Sequence, residues 1–420
     1  MNTFLKHMIM DKRIILWGTG NTAQQFYDKY KEKLPIAACT GNDRDIVPIG
    51  SLKAVRPCDL NRETDFIIVC SIYYDEIRYQ LMCSGGYEPY SNFIKYNIFG
   101  ELYEAEEKQK KLIVAVGQCE INEICKVLNM LDSFKKKYAL CYFDEQKVCM
   151  HGSRHNLEET KECLKLLRMA DYFIKPSAIS PQLMKNFSFL QEHMNDSGKV
   201  ITVSLFNMDS YWAQDIFAER TINKYYMTKN GLKLSAYVER DRVIEKLLDE
   251  GYTTKEILHL ICKEDFFEPD EILKNHRNCM KRAQIADRIS DIKMADFVAE
   301  NYRLVKLYCD RGHFNEKLLR EYVRRIIELL GESESQKELA EKKIGIITQH
   351  VNELPIYPSA ARILDLQWVD HNTLYRQKLY NGIRLVTFVE YMEWFINYCQ
   401  CAREVLKYCF WPSDSQEDQN

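Results

Sequence analysis

LIVAVGQCEINEI, residues 112–124, reads as an apolar strand, a tight glycine turn and the opening of a helix. Six consecutive apolar or small residues suit a strand covered on both faces, the environment of a parallel sheet. The helical pattern continues to about residue 131. The same order stands upstream: RIILWG (13–18), the turn Thr19-Gly20-Asn21, then a helical stretch through about Lys33. IAACT (36–40) and DFIIVCS (65–71) add strands, and YDEIRYQLMCSGG stops on Gly85-Gly86, a helix terminator. Downstream, YALCYF (138–143), ADYFIK (170–175) and KVITVSLF (199–206) continue the series. Short buried strands alternating with helices predict an α/β fold with parallel sheets.

Charge and polarity set the expected boundaries. ELYEAEEKQKK (101–111) has little to bury and reads as a linker or a solvated helix end. That predicts a Rossmann-like module over 1–100, a linker over 101–111 and a larger α/β domain over 112–410 with a high helix content. From about 236 to 331 the pattern is mostly helical. In NEKLLREYVRRIIELLG, Leu318, Leu319, Val323, Ile326 and Leu330 recur at helical spacing. A final amphipathic helix spans about 388–409, and residues 411–420 read as a disordered polar tail.

Composition excludes several classes. A net charge of −3 over 420 residues gives no basic field for nucleic acid. No apolar run approaches the roughly 20 residues of a membrane span. The 15 cysteines are scattered, several within strand-like runs, and none forms a CxxC pair. Free thiols in a cytoplasmic protein without a structural metal are therefore expected.

The first chemical signal is Gly18-Thr19-Gly20-Asn21. Glycines between strand and helix let backbone approach a phosphate, which a helix N-terminus attracts. With Ala23 the turn reads GxGxxA, and Asp43 or Asp45 after the second strand would meet a ribose. A nucleotide at this module is one reading; a tight strand–helix turn is the other. Through GTGN, GND and CSIYYDEI, residues 12–98 resemble the sensor-like Rossmann modules that precede sugar-modifying enzymes in surface-polysaccharide loci.

The second signal is Cys119, directly after a strand and at a helix start. Unpaired amides and the helix dipole favour a thiolate there and can stabilise an oxyanion, as acyl transfer needs. A buried structural cysteine is the alternative. Further motifs follow in order: Gly117-Gln118-Cys119-Glu120, ADYFIKP, GYTTKEI, KRAQIADRISDIKMADFV, KLYCDRGHFNEKLL, ELPIYPSAARILDLQW and VTFVEYMEWFINY. In this succession residues 112 to about 405 resemble the WcbI-type polysaccharide biosynthesis acetyltransferase family. Gln118, Glu120 and Asp287 depart from the usual Asn, Gln and Glu, and Asp310-Arg311-Gly312 alters the surroundings of His313.

The resemblance implies transfer of acetyl from acetyl-CoA to a hydroxyl of a capsular or surface sugar, the acceptor being a saccharide or glycolipid. It implies Cys119 and His313 as nucleophile and base, with a cap for the helix over 315–330 as the other reading of His313. Asp287 and Asp291, four apart on a predicted helix, share a face by spacing, and either would orient His313 or lie on a solvated face. Gly117 and Gln118 would cradle coenzyme A, with Lys175, Arg282, Arg311 or Arg362 on its phosphates. Tyr357, between Pro355 and Pro358, would present its ring to adenine or sugar, or pack in the core. His350 would line the site, whereas His151 and His155 read as loop residues. A thiol hydrolase such as a deacetylase, or a non-catalytic sensor of coenzyme A or nucleotide, are the alternatives that share these features.

Overall fold

The computed structural model describes residues 4–149, 154–178, 180–215, 241–348, 352–379 and 382–407. It divides into two units: 1–203 with 327–341, and 204–326 with 342–420. Among the described residues, no helix is long and apolar enough to cross a membrane.

The first unit begins with α1 (Phe4–Ile9), β1 (Arg13–Trp17), α2 (Asn21–Tyr30), β2 (Ile36–Thr40), β3 (Lys53–Ala54), β4 (Asp65–Val69), α3 (Tyr74–Gly85), β5 (Phe93–Lys95) and α4 (Tyr96–Lys108). The strands form one parallel sheet in the order β3-β2-β1-β4-β5. β1 and β4 are central and buried on both faces, which is why RIILW and DFIIV lack polar alternation. Asp65, fully buried where β4 begins, is held by Arg13 Nε at 2.8 Å and Nη2 at 3.0 Å. As expected, Gly86 ends α3 in the left-handed region.

A second sheet follows: β6 (Lys111–Gly117), α5 (Cys119–Met130), α6 (Asp132–Lys137), β7 (Tyr138–Asp144), α7 (Glu145–Cys149), α8 (Arg154–Leu167), β8 (Tyr172–Pro176), α9 (Pro181–Glu192) and β9 (Lys199–Val203). All four strands are parallel, in the order β7-β6-β8-β9. Residues of both sheets share one hydrophobic core, from Ile14, Leu16 and Phe66 to Val114, Val116 and Phe173.

The stretch 101–111 is therefore not a linker but mostly the second half of α4. Phe99 and Leu102 are buried in the shared core, and Tyr103 and Ala105 pack against it. The unit boundary accordingly falls after β9, not between the sheets.

The second unit holds α10 (Arg242–Asp249), α11 (Thr254–Ile261), α12 (Pro269–Arg288), α13 (Ala295–Asn301) and most of α14 (Glu316–Leu329). Then α15 (Ser333–Glu341) belongs to the first unit, while α16 (Pro358–Ile363), the antiparallel pair β10 (Tyr375–Leu379) and β11 (Gly382–Val386), and α17 (Phe388–Lys407) return to the second. GYTTKEI is a helix start: Thr253 and Glu256 form a reciprocal capping box on α11. The polar tail expected over 411–420 lies outside the described residues.

α15 is fixed in the first unit by two carboxylates far away in sequence. Glu338 accepts from the Asp132 and Ser133 amides at 2.8 and 2.9 Å, completing the N-terminus of α6. Glu332 accepts from Tyr138 at 3.0 Å and pairs with Lys137. Losing such a capping carboxylate costs roughly 1–2 kcal/mol. Glu338→Ala should therefore speed amide hydrogen exchange in α6 and α15; unchanged exchange in both helices would show that the contact holds nothing.

Candidate functional site

Both parallel sheets have a point at which the strand order reverses, the position where open α/β sheets form a ligand crevice at the carboxyl ends of their strands. In the first sheet it lies between β1 and β4, where the chain turns through Gly18-Thr19-Gly20 into α2. Gly18 is required by the fold itself. Its φ is +130°, and a Cβ would stand 2.6 Å from the Cys70 carbonyl oxygen. Gly20 is different: its φ is −85°, and a Cβ there would meet nothing within 4 Å. It stands at the N-cap of α2 without a side-chain capping bond, followed by exposed Asn21. The backbone at Gly20 is thus open to whatever occupies the crevice.

In the second sheet the reversal lies between β6 and β8, and the turn there is Gly117-Gln118-Cys119. Cys119 is the first residue of α5, exposed, and its Sγ donates to Glu120 Oε2 at 3.4 Å. Gly117 packs so closely on Ile121 that a Cβ would collide with that side chain. Gln118 is the N-cap but makes no side-chain capping bond; its Nε2 reaches Glu145 Oε1 at 3.5 Å. Tyr142, on β7, donates its hydroxyl to the Gly117 carbonyl at 2.9 Å and lies 3.3 Å from that of Gln118. Burial, reinforced by the nearby acidic groups, pushes this phenol up, so it stays a neutral donor. Burial likewise raises the Glu145 carboxyl, with the Gln118 bond opposing. Lys175 sits near the end of β8, whose Ile174 is the register partner of Ala115, and its Nζ lies 5.7 Å from the Phe187 ring.

Cys119 belongs to the first unit and His313 to the second. His313 lies in a short loop closed by a bridge between Tyr308 and Phe314. Asp310 organises that loop: its Oδ1 accepts the amides of Gly312 and His313 at 3.1 and 2.8 Å. Its Oδ2 stands 2.7 Å from His313 Nδ1. A carboxylate on Nδ1 fixes the tautomer that leaves Nε2 as the proton acceptor.

Asp310, not Asp287, is thus the residue that orients this imidazole. Asp287 is occupied in capping α13, with its two oxygens accepting from the Met294 and Ala295 amides at 2.8 and 2.9 Å. The Asp-x-x-His spacing was present in the sequence as a local signal; Tyr142 had none, since its role depends on the register of β7 against β6.

The second unit also gathers two of the candidate cations. Arg282 Nη2 stands 2.6 Å from Asp209 Oδ2. Burial lowers the Arg311 guanidinium from its ordinary value, and the field of the same Asp209 opposes this. Arg362 instead donates to the Glu264 carbonyl at 2.9 Å on an exposed face. Tyr357 offers no ring to a ligand, because it is fully buried among Phe266, Phe267 and Phe388. Its hydroxyl donates to Asp241 at 2.7 Å, the residue that caps α10. Burial raises the Asp241 carboxyl to about 6 against these hydrogen bonds. His350, His151 and the side chain of His155 lie outside the described residues, and among those described no group of His, Cys, Asp and Glu is arranged to hold a metal.

The two N-terminal glycines should separate cleanly in stability. Gly18→Ala forces a strained backbone and a clash, at a cost of roughly 1–3 kcal/mol. Gly20→Ala should stay within about 0.5 kcal/mol of wild type. Denaturant titration of both variants checks this, and equal losses would contradict the open geometry at Gly20.

Residues 10–90 match the family model described as C2185-like, N-terminal. No curated protein matches the chain. Among solved structures the chain is similar to WcbI, described as a novel polysaccharide biosynthesis enzyme, at 16% identity and a TM-score of 0.54. The match covers 71% of this chain and 94% of that one. The WcbI structure is described as the native protein without a disulfide bond between coenzyme A and one of its cysteines. This α/β chain matches the C2185-like N-terminal model over residues 10–90 and has a fold similar to that of the polysaccharide biosynthesis enzyme WcbI.

Proposed function

We propose that this chain transfers an acetyl group from acetyl-CoA to a hydroxyl of a saccharide or glycolipid acceptor in surface-polysaccharide modification. The observation that carries this reading is the position of Cys119. It is an exposed thiol opening α5, at the strand-order reversal of a sheet, in a chain with the fold of WcbI.

The residues fit coenzyme A. Free first-turn amides of α5 suit a carbonyl oxygen that gains charge, because they are pre-oriented donors. Arg282 and Arg311 suit phosphates, which would replace or share the Asp209 carboxylate. Lys175 is a third candidate. Acetyl-CoA supplies the acetyl group as an activated thioester.

In this reading the Cys119 sulfur would bond to the acetyl carbon as the bond from that carbon to the sulfur of coenzyme A breaks, and the Cys119 proton would pass to the departing sulfur. His313 Nε2 would take the proton of the acceptor hydroxyl as that oxygen bonds to the acetyl carbon, and would return it to the Cys119 sulfur released in the same step. Asp310 keeps the imidazole oriented through Nδ1 throughout. Tyr142 holds the Gly117 carbonyl back, so the turn presents amides rather than a carbonyl. A hydrolase would use the same groups with water as acceptor.

One contact favours a second reading. The Cys119 thiol donates to Glu120, so its proton is already engaged. That suits a chain that binds coenzyme A without turning it over. At the first sheet, the open backbone at Gly20 supports a nucleotide phosphate in the crevice.

Acetyl-CoA turnover with and without a sugar acceptor separates these readings. Transfer should require acceptor. Cys119→Ala should abolish it, and His313→Ala should lower kcat by roughly 100-fold or more with coenzyme A affinity nearly intact. Full transfer by Cys119→Ala removes the nucleophile assignment, acceptor-independent turnover indicates the hydrolase, and binding without turnover indicates the sensor.

The nucleotide reading is tested separately: Gly20→Val should abolish nucleotide binding by the full chain while leaving its stability unchanged. Undiminished binding by that variant would remove the cradle assignment.

A further inference from the structure

Three strand ends meet at the first crevice. The Gly18 amide donates to the Thr40 carbonyl at 2.8 Å, and the Cys70 amide to the Trp17 carbonyl at 2.8 Å. A Cβ on Gly41 would stand 4.0 Å from Thr19 Cγ2, so the loop after β2 lies against the glycine turn.

Thr40 ends β2 with a polar group that the fold leaves unsatisfied. Its side chain is fully buried, and its Oγ1 has no partner among the described residues. The strand sets its direction. Cys39 lies in the core with Ala23 and Phe26 of α2, whereas Ala38 lies in the core with Tyr74 and Ile77 of α3. Alternation therefore turns Thr40 to the α3 side.

On that side the loop after β2 is tied to α3. Asn42 Nδ2 donates to Gln80 Oε1 at 2.9 Å, and Gln80 Nε2 donates back to Asn42 Oδ1 at 3.2 Å. Since β1 lies between β2 and β4, the pair reaches across β1. A carboxamide has two N–H donors and two acceptor lone pairs. The mutual bonds use one of each and hold both amide planes in place. One donor and one acceptor on each residue are left over, on an exposed Asn42 and a half-buried Gln80. The loop after β4 flanks β1 from the other side and is apolar, with Ile72 87% and Tyr73 62% exposed. Ser71 Oγ fixes that loop by accepting the Tyr73 amide at 3.1 Å.

We propose that Asn42 and Gln80 are a base-reading pair, and that the ligand of the first crevice is a nucleotide whose base lies on the α3 side. This rests on the reading above of a phosphate at Gly20. With the phosphate on the α2 amides, Asp43 or Asp45 meets the ribose directly after Asn42. The base then lies between the two loops. Its polar edge sets donors beside acceptors, which a carboxamide matches with both of its atoms. Its flat face suits the exposed Tyr73 ring and Ile72. Thr40 Oγ1 supplies a further polar contact on the same side. A sugar phosphate without a base would satisfy Gly20 and leave these groups unmet.

Isothermal titration of the full chain with AMP and UMP, against ribose 5-phosphate as the base-free probe, tests the pair. Binding that Gly20→Val removes is binding at the first crevice. At least one nucleotide should bind there roughly tenfold or more tighter than ribose 5-phosphate. Asn42→Ala and Gln80→Ala, both outside the core, should each erase most of that difference and leave the affinity for ribose 5-phosphate unchanged. Equal affinity for all three probes, or a difference that survives in both variants, would overturn the base-reading pair while leaving the phosphate at Gly20 standing. Absence of Gly20-dependent binding for all three probes would overturn both.

Discussion

Burial of Phe99 and Leu102 is the constraint on which the first unit depends. α4 leaves the first sheet after Lys95 and delivers the chain to β6 at Lys111, so its apolar stripe must be covered by both sheets at once. One continuous core results, where two separate domains joined by a tether would have had two. With β6 held in that core, the end of the strand is a rigid platform. Gly117 is locked against Ile121, Tyr142 holds its carbonyl, and Cys119 emerges where α5 begins. A thiol placed in this way owes its position to packing that reaches back to the first sheet.

Most of the strand framework was legible because parallel strands buried on both faces announce themselves as unbroken apolar runs. Each of the seven runs from RIILWG to KVITVSLF corresponds to a strand in the structure. What escaped was short or polar. Lys53–Ala54 is too brief to show a period, β10 carries the polar run Arg376-Gln377-Lys378, and β11 is exposed up to Val386. The charged half of α4 misled for a physical reason: Glu101, Glu104, Glu106 and Glu107 crowd around the residues that pack, and composition alone hides a stripe that spacing would reveal.

The chemistry was legible to the extent that it is local. Cys119 at a helix start and Asp310 three residues before His313 can both be read from spacing, although the second became evident only from the hydrogen bonds. Asp287 and Tyr357 show the opposite case. Both stand in motif-like surroundings, and both are taken up by structural tasks, one capping α13 and the other anchoring the cap of α10. Motif position fixed where these residues stand in the chain but not which atoms they would meet. Pairings across long sequence distances, such as Glu338 with Ser133 or Tyr74 with Glu162, have no signature in a single sequence.

The account as a whole rests on Cys119 as the reactive group of a coenzyme A-dependent transferase. Crystals of the full chain grown with coenzyme A test that most directly. The account predicts electron density for the ligand with its sulfur end at the N-terminus of α5, within reach of the Cys119 thiol. Coenzyme A bound elsewhere on the chain, with the Cys119 turn left vacant at saturating ligand, would contradict it.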